Sequence, residues 1–156
     1  MFYGLLATCL ILIFIVAGEV ISGNTVRLHA QSQLSILIQG VPVTVPSGIG
    51  INQTLWKNHF LDQYGVAGHS PLTTRDTSGL IHVDSNNVRN FTLQEFLQVW
   101  GETVDNYQVV GNQVPQGYSA CIVVGGQTLP ATSDVILVDN QKITVEILQG
   151  SCSYLS

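Results

Sequence analysis

The sequence is short of charge. Only 10% of its 156 residues are Asp, Glu, Lys or Arg, against roughly a quarter in ordinary globular chains. Its five basic residues, Arg27, Lys57, Arg75, Arg89 and Lys142, stand singly along the chain. Nucleic-acid binding needs clustered cations to release the counterions of a phosphate backbone, so nucleic acid is not an expected partner. Glycine-rich phosphate loops, dinucleotide fingerprints and nucleophile elbows are missing as well, which removes the usual signatures of nucleotide-dependent enzymes and serine hydrolases. Cysteine is scarce, with three in all; no two are spaced as a C-x-x-C pair, so a structural zinc site is not encoded. Asn, Gln, Ser, Thr and Gly fill the space instead, a neutral polar composition that suits the outside of a cell.

Charge is also absent from Met1 to Gly18, where Leu10 to Val16 form a continuous apolar run. A spanning helix needs about 20 apolar residues, with a range near 17–25; the segment reaches that length when Val20 and Ile21 are counted around Glu19. A secretory signal needs only about 7–15 apolar residues and a small-residue cleavage site. Ile21-Ser22-Gly23 is acceptable for this, and Leu28-His29-Ala30 is poorer. No basic residue precedes the run, so charge favours neither reading. Cys9 precedes most of the run and Glu19 ends it, which excludes a lipoprotein box and a pilin-type start. Residues 1–23 are therefore expected to be a membrane anchor or a signal peptide, 24–33 a linker, 34–150 an extracytoplasmic domain and 151–156 a tail. The domain would sit outside the cell membrane, held there through residues 1–23, or be secreted if that segment is cleaved.

Export gives meaning to two further features. Cys121 and Cys152 are the even pair left outside the hydrophobic segment, and disulfides persist in oxidising compartments, so a Cys121–Cys152 bridge is expected. Asn52-Gln53-Thr54 and Asn90-Phe91-Thr92 are glycosylation sequons, placing candidate sites at Asn52 and Asn90.

The pattern of the remaining chain is mixed. Leu34 to Ile38 and Val41 to Val45 flank Gln39-Gly40 and read as a hairpin, with Pro42 marking its second strand as an edge. Residues 46–91 are rich in Gly, Asn, Asp, Ser and Pro and read as a long loop-rich insertion, with Leu80 to Asp84 as its one strand. Thr92 and Glu95 make a capping box, and Leu93, Phe96, Leu97, Trp100 and Val104 recur at helical spacing, predicting a helix from Leu93 to Gly101. Strands follow at 119–124, 135–138 and 143–148. Hairpin, insertion, helix and strands in that order give an α+β domain, a β-grasp (ubiquitin-like) mixed sheet with one helix, preceded by the N-terminal hydrophobic helix; a β-sandwich is the alternative.

The stretch from Ser70 to Ser85, Ser-Pro-Leu-Thr-Thr-Arg-Asp-Thr-Ser-Gly-Leu-Ile-His-Val-Asp-Ser, followed by Phe91-Thr92-Leu93-Gln94-Glu95-Phe96-Leu97-Gln98-Val99-Trp100-Gly101, is not generic loop chemistry. It resembles an uncharacterised family of exported archaeal and bacterial proteins carrying Pro-Leu-His-Thr-His-Asp-x-Ser-Gly-x-Ile-His-x-Glu-Ser and then Phe-Thr-Leu-Gly-x-Phe-Phe-x-x-Trp-Gly. The similarity runs from about Leu34 to Leu148. The family's paired histidines imply a divalent-metal site. In this chain Thr73 and Arg75 stand at those two positions, leaving Asp76, His82 and Asp84 at matched ones, a thin ligand set unless His69 or His59 joins.

Read from the residues alone, Asp76-Thr77-Ser78-Gly79 is a turn, and His82 and Asp84 share one strand face, where Arg75 or Arg89 can pair with Asp84 or Asp76. Asp76, His82, Asp84 and Arg75 are therefore the candidate binding surface. The expected function is a non-catalytic binding or structural module of the cell surface, with no cofactor and a surface protein or ligand as partner. The alternatives are a divalent-metal protein using His82, Asp84 and Asp76, and a hydrolase using His82 as base.

Overall fold

The computed structural model describes residues 25–154. Residues 1–23, expected to be a membrane anchor or a signal peptide, lie outside them. Among the described residues no helix is long and apolar enough to cross a membrane.

The domain is mixed α+β, a mostly stranded mixed sheet with one α-helix among the described residues. Its first strand, β1, runs Leu28–Ile38, so residues 28–33 belong to the sheet and not to a linker. The reason lies in alternation: Ala30, Ser32, Leu34 and Ile36 are buried while the residues between them stay more exposed. A period of two puts them on one face of a strand. Small Ala30 and Ser32 carry little apolar signal, yet their burial extends the strand toward the N-terminus. At Gln39 and Gly40, with φ of 52° and 80°, the chain turns as a two-residue hairpin loop requires. It returns as β2, Val41–Val43, which pairs only with β1 and so carries Pro42 on an edge.

The insertion is less irregular than its composition implies. It contributes β3, Leu72–Thr74, and β4, Leu80–Ser85, paired antiparallel. β4 then pairs antiparallel with the first half of β1, from Leu28 to Gln33. β1 thus carries β4 and β2 successively along one edge. The outer edge of β3 is covered by backbone: Gly48 N donates to Thr74 O at 2.9 Å, and Thr74 N donates to Ile49 O at 3.2 Å. Such cover removes a template for strand-to-strand aggregation.

The helix α1, Leu93–Trp100, forms where its capping box predicts. Glu95 N donates to Thr92 Oγ1 at 3.3 Å and Thr92 N donates to Glu95 Oε2 at 3.0 Å. Gly101, at φ 87°, closes the far end in the left-handed region, where a glycine relieves the Cβ penalty. Leu93, Phe96, Leu97, Val99 and Trp100 are buried, and they join Leu34, Ile36, Ile81, Ile122, Val145 and Ile147 in one core.

Beyond α1, Gln108–Val109 and Asn112–Gln113 (β5 and β6) make a short hairpin. The sheet resumes with β7, Tyr118–Val124, β8, Gln127–Pro130, and β9, Gln141–Gln149. Its order is β3-β4-β1-β9-β7-β8, with β1 and β9 parallel at the centre. The expected strand at 135–138 is instead an extended segment with a single bridge, Ile136 to Thr92. Val135 and Leu137 are buried, so the alternation is real. Their hydrogen-bond partners are Leu93 and Phe91 at the start of the helix, not a sheet strand. Cys121 on β7 and Cys152 in the C-terminal 3₁₀ turn are joined, with sulfurs 2.04 Å apart. The bond fastens the tail against the outer face of the sheet.

Candidate functional site

The helix covers one face of the sheet, and the candidate residues occupy the other. On β4, Ile81, Val83 and Ser85 are buried in the domain, so Leu80, His82 and Asp84 point outward by the alternation of a strand. Register then decides their neighbours. His82 lies opposite Thr73 of β3 and Gln31 of β1, and Asp84 lies opposite His29 of β1.

Asp84 is the hub. Its Oδ1 is 2.5 Å from His29 Nδ1, and its Oδ2 accepts from Arg75 Nη2 at 2.6 Å. Arg75 follows β3 directly and reaches back across β4. The Arg75 and His29 side chains are each more than half exposed, whereas that of Asp84 is 19% exposed. One shielded carboxylate therefore orients two solvent-facing side chains.

His82 sits beside this cluster and is only 8% exposed. Its Nδ1 makes a long contact, 3.4 Å, with the Gln31 side-chain amide. Burial, and then the Arg75 guanidinium, hold its pKa below the ordinary histidine value against the opposing pull of Asp84. The neutral imidazole is the favoured form, because a buried cation loses its hydration. Asp76 belongs to the turn. Its Oδ1 accepts from Ser78 N at 2.9 Å and from Ser78 Oγ at 2.5 Å, and these bonds hold its pKa below the ordinary carboxylate value. The turn closes on Gly79, at φ 82°, where a Cβ would stand 2.2 Å from Leu34 O.

The four candidate residues thus divide. Arg75 and Asp84 bond directly, His82 lies close enough to feel both charges, and Asp76 is occupied by its own turn. Arg89 goes elsewhere: it donates to Glu95 at 2.6 Å and stacks its guanidinium over Tyr64 and Phe91. Among the described residues no three His, Cys, Asp or Glu side chains are grouped to hold a metal ion. His59 pairs with Asp62 at 2.9 Å and stacks on Trp56, in another part of the insertion. Asn52 and Asn90 are both exposed; Asn52 Oδ1 accepts from Thr54 N and Oγ1.

A cleft of about 220 Å³ opens at the hub, lined by Val26, His29, Val66, Ala67, His69, Ser70, Thr73, Arg75 and Asp84. His29 is the polar residue of this cleft that the sequence did not point to, and His69 was expected there only as a possible further metal ligand. The signal for His29 was available: it continues the outward set Gln31, Gln33 and Ser35 back along β1. It is hidden once residues 24–33 are read as linker. His69 carries no comparable pattern, because a loop brings it to the cleft. No protein-family model, curated protein or solved structure matches the chain.

Proposed function

We propose that the chain is a membrane-anchored or secreted cell-surface binding module without catalysis, of the exported family it resembles, and that it recognises its partner at the His29–Arg75–Asp84 cleft. One observation carries this reading: a shielded carboxylate holds two exposed donor side chains at the mouth of a cavity with an apolar wall. Concave sites that combine apolar lining with a few convergent polar groups are the usual form of ligand sites. The Cys121–Cys152 bond supports the extracytoplasmic part, since such bonds persist in oxidising compartments.

We assign the architecture to the β-grasp class. Support comes from the order β2-β1-β9-β7-β8, the parallel β1–β9 pair at its centre, and the position of α1 in the connection between the first hairpin and β7.

A hydrolase is the second reading, favoured by a different histidine from the one the sequence suggests. The His29 Nδ1 contact with Asp84 is the orienting bond a general base uses. The nearby Ser70 hydroxyl is buried and accepts from Leu72 N at 3.3 Å, which is a structural role. Incubating the full chain, held in nonionic detergent, with small ester and amide substrates separates the two readings. Turnover that His29→Ala abolishes would establish the hydrolase. Retention of cell-envelope material without turnover supports the binding module.

A further inference from the structure

Three of the chain's four histidines gather at one place. His29 and His69 line the cleft with Arg75, and His82 lies within the electrostatic reach of Arg75 and His29. In a chain with net charge −5, this places one permanent donor, the Arg75 guanidinium, beside imidazoles whose second nitrogen donates to an anion only in the protonated ring; His29 Nδ1 is already given to Asp84. We infer that the cleft binds a small ligand through an oxyanion, a carboxylate or a phosphate or sulfate, received by the Arg75 guanidinium with His29 and His69 beside it. The inference rests on the binding-module reading and names the ligand chemistry of that same site.

Arginine presents five N–H donors in a planar fork that matches the spacing of two oxyanion oxygens. Among the described residues, Arg75 gives Nη2 to Asp84 Oδ2, which leaves the rest of the fork to face a ligand. Asp84 does not cancel the site. Both of its oxygens are engaged, one by each donor, and Arg75 offsets its charge. What Asp84 adds is order. It holds two side chains that are 55% and 56% exposed, which lowers the entropy lost when a ligand fixes them.

The rest of the cleft sets size and character. Val26, Val66 and Ala67 supply an apolar wall, and Ser70 and Thr73 supply hydroxyl-bearing side chains. At about 220 Å³ the space is below the roughly 300–1,000 Å³ of drug-sized sites. It fits an anionic group on a small body and not a long chain. A divalent cation is the wrong occupant, because Asp84 Oδ2 is already held by the positively charged Arg75.

The test is a titration of the full chain in nonionic detergent with inorganic phosphate and, separately, succinate, at constant ionic strength. Imidazole resonances of His29 and His69 are followed, with His59 as the reference outside the cleft. Saturable shifts at His29 and His69 that His59 does not share are expected. Arg75→Gln should weaken binding at least about 10-fold, in line with the loss of a charge-assisted hydrogen bond, and Arg75→Lys should fall between it and the native chain. Whichever probe binds more tightly identifies the source of the oxyanion. Shifts that never saturate, that His59 shares equally, or that survive Arg75→Gln would overturn the proposal. If Arg75→Gln does not fold, the native titration and Arg75→Lys decide it. A neutral ligand bound in the cleft, with no response to either anion, would refute the oxyanion while leaving the binding module in place.

Discussion

Arg75 Nη2 lies 2.6 Å from Asp84 Oδ2 across the β3–β4 pair, so Arg75 supplies a permanent cation to the carboxylate. The pair is partly exposed, and exposed ion pairs contribute about 0.2–1 kcal/mol. A double-mutant cycle of Arg75→Met and Asp84→Asn, read by denaturant unfolding, should give a coupling within that range. It should shrink as salt is raised, since screening acts on solvent-facing charges.

His82 gives a pH signature. Its pKa in the folded chain is lowered from the ordinary 6.5, so near and below that pH the unfolded chain takes up a proton that the folded chain refuses. The contribution to stability is therefore fully present above the ordinary histidine value and is lost as the pH falls toward the folded value. Denaturant midpoints measured from about pH 7.5 to pH 5 should fall more steeply for the native chain than for His82→Gln, which cannot titrate.

The disulfide spans 31 residues of sequence. Closing a loop of that length stabilises by about 3–4 kcal/mol on the chain-entropy account, so reduction or Cys152→Ser should lower Tm by roughly 10–20 °C for a domain of this size. Calorimetry with and without reductant checks this.

The parts of the fold that are legible in the sequence are those whose signals are local. Thr92 and Glu95 sit three residues apart and cap a helix whose apolar residues lie on one turn after another. Gln39-Gly40 specifies its own turn, and Cys121 and Cys152 are the pair left outside the hydrophobic segment. The unread parts carry no pattern of their own and are fixed by the segment each one pairs with, near or distant in sequence. β8, Gln127–Pro130, is polar and ends in proline, and it is a strand because β7 pairs with it. Leu72–Thr74 is too short to show a period and is fixed by β4 on one side and residues 48–50 on the other. The site follows the same rule. Asp84 and His82 were visible as one face of a strand, whereas His29 meets Asp84 across 55 residues.

Gly79 is one close contact between the insertion and β1. Leu34 N donates to Gly79 O at 2.9 Å, and a Cβ on residue 79 would lie 2.2 Å from Leu34 O at a φ of 82°. Gly79→Ala should destabilise by about 1–3 kcal/mol from the backbone conformation alone, and more from the clash. Gly126→Ala, with nothing within 4 Å of its Cβ, should cost less. Paired unfolding curves test the difference.

The central claim is that recognition occurs at the His29–Arg75–Asp84 cleft. The most direct measurement compares the native chain with His29→Ala/Arg75→Gln/Asp84→Asn for retention on cell-envelope material, both reconstituted in proteoliposomes. The triple variant removes the cluster without leaving Asp84 as an unpaired charge. Retention is expected to be lost in the triple variant while the unfolding transition and the Cys121–Cys152 bond persist. Equal retention by the two proteins would contradict the central claim and place recognition on another surface.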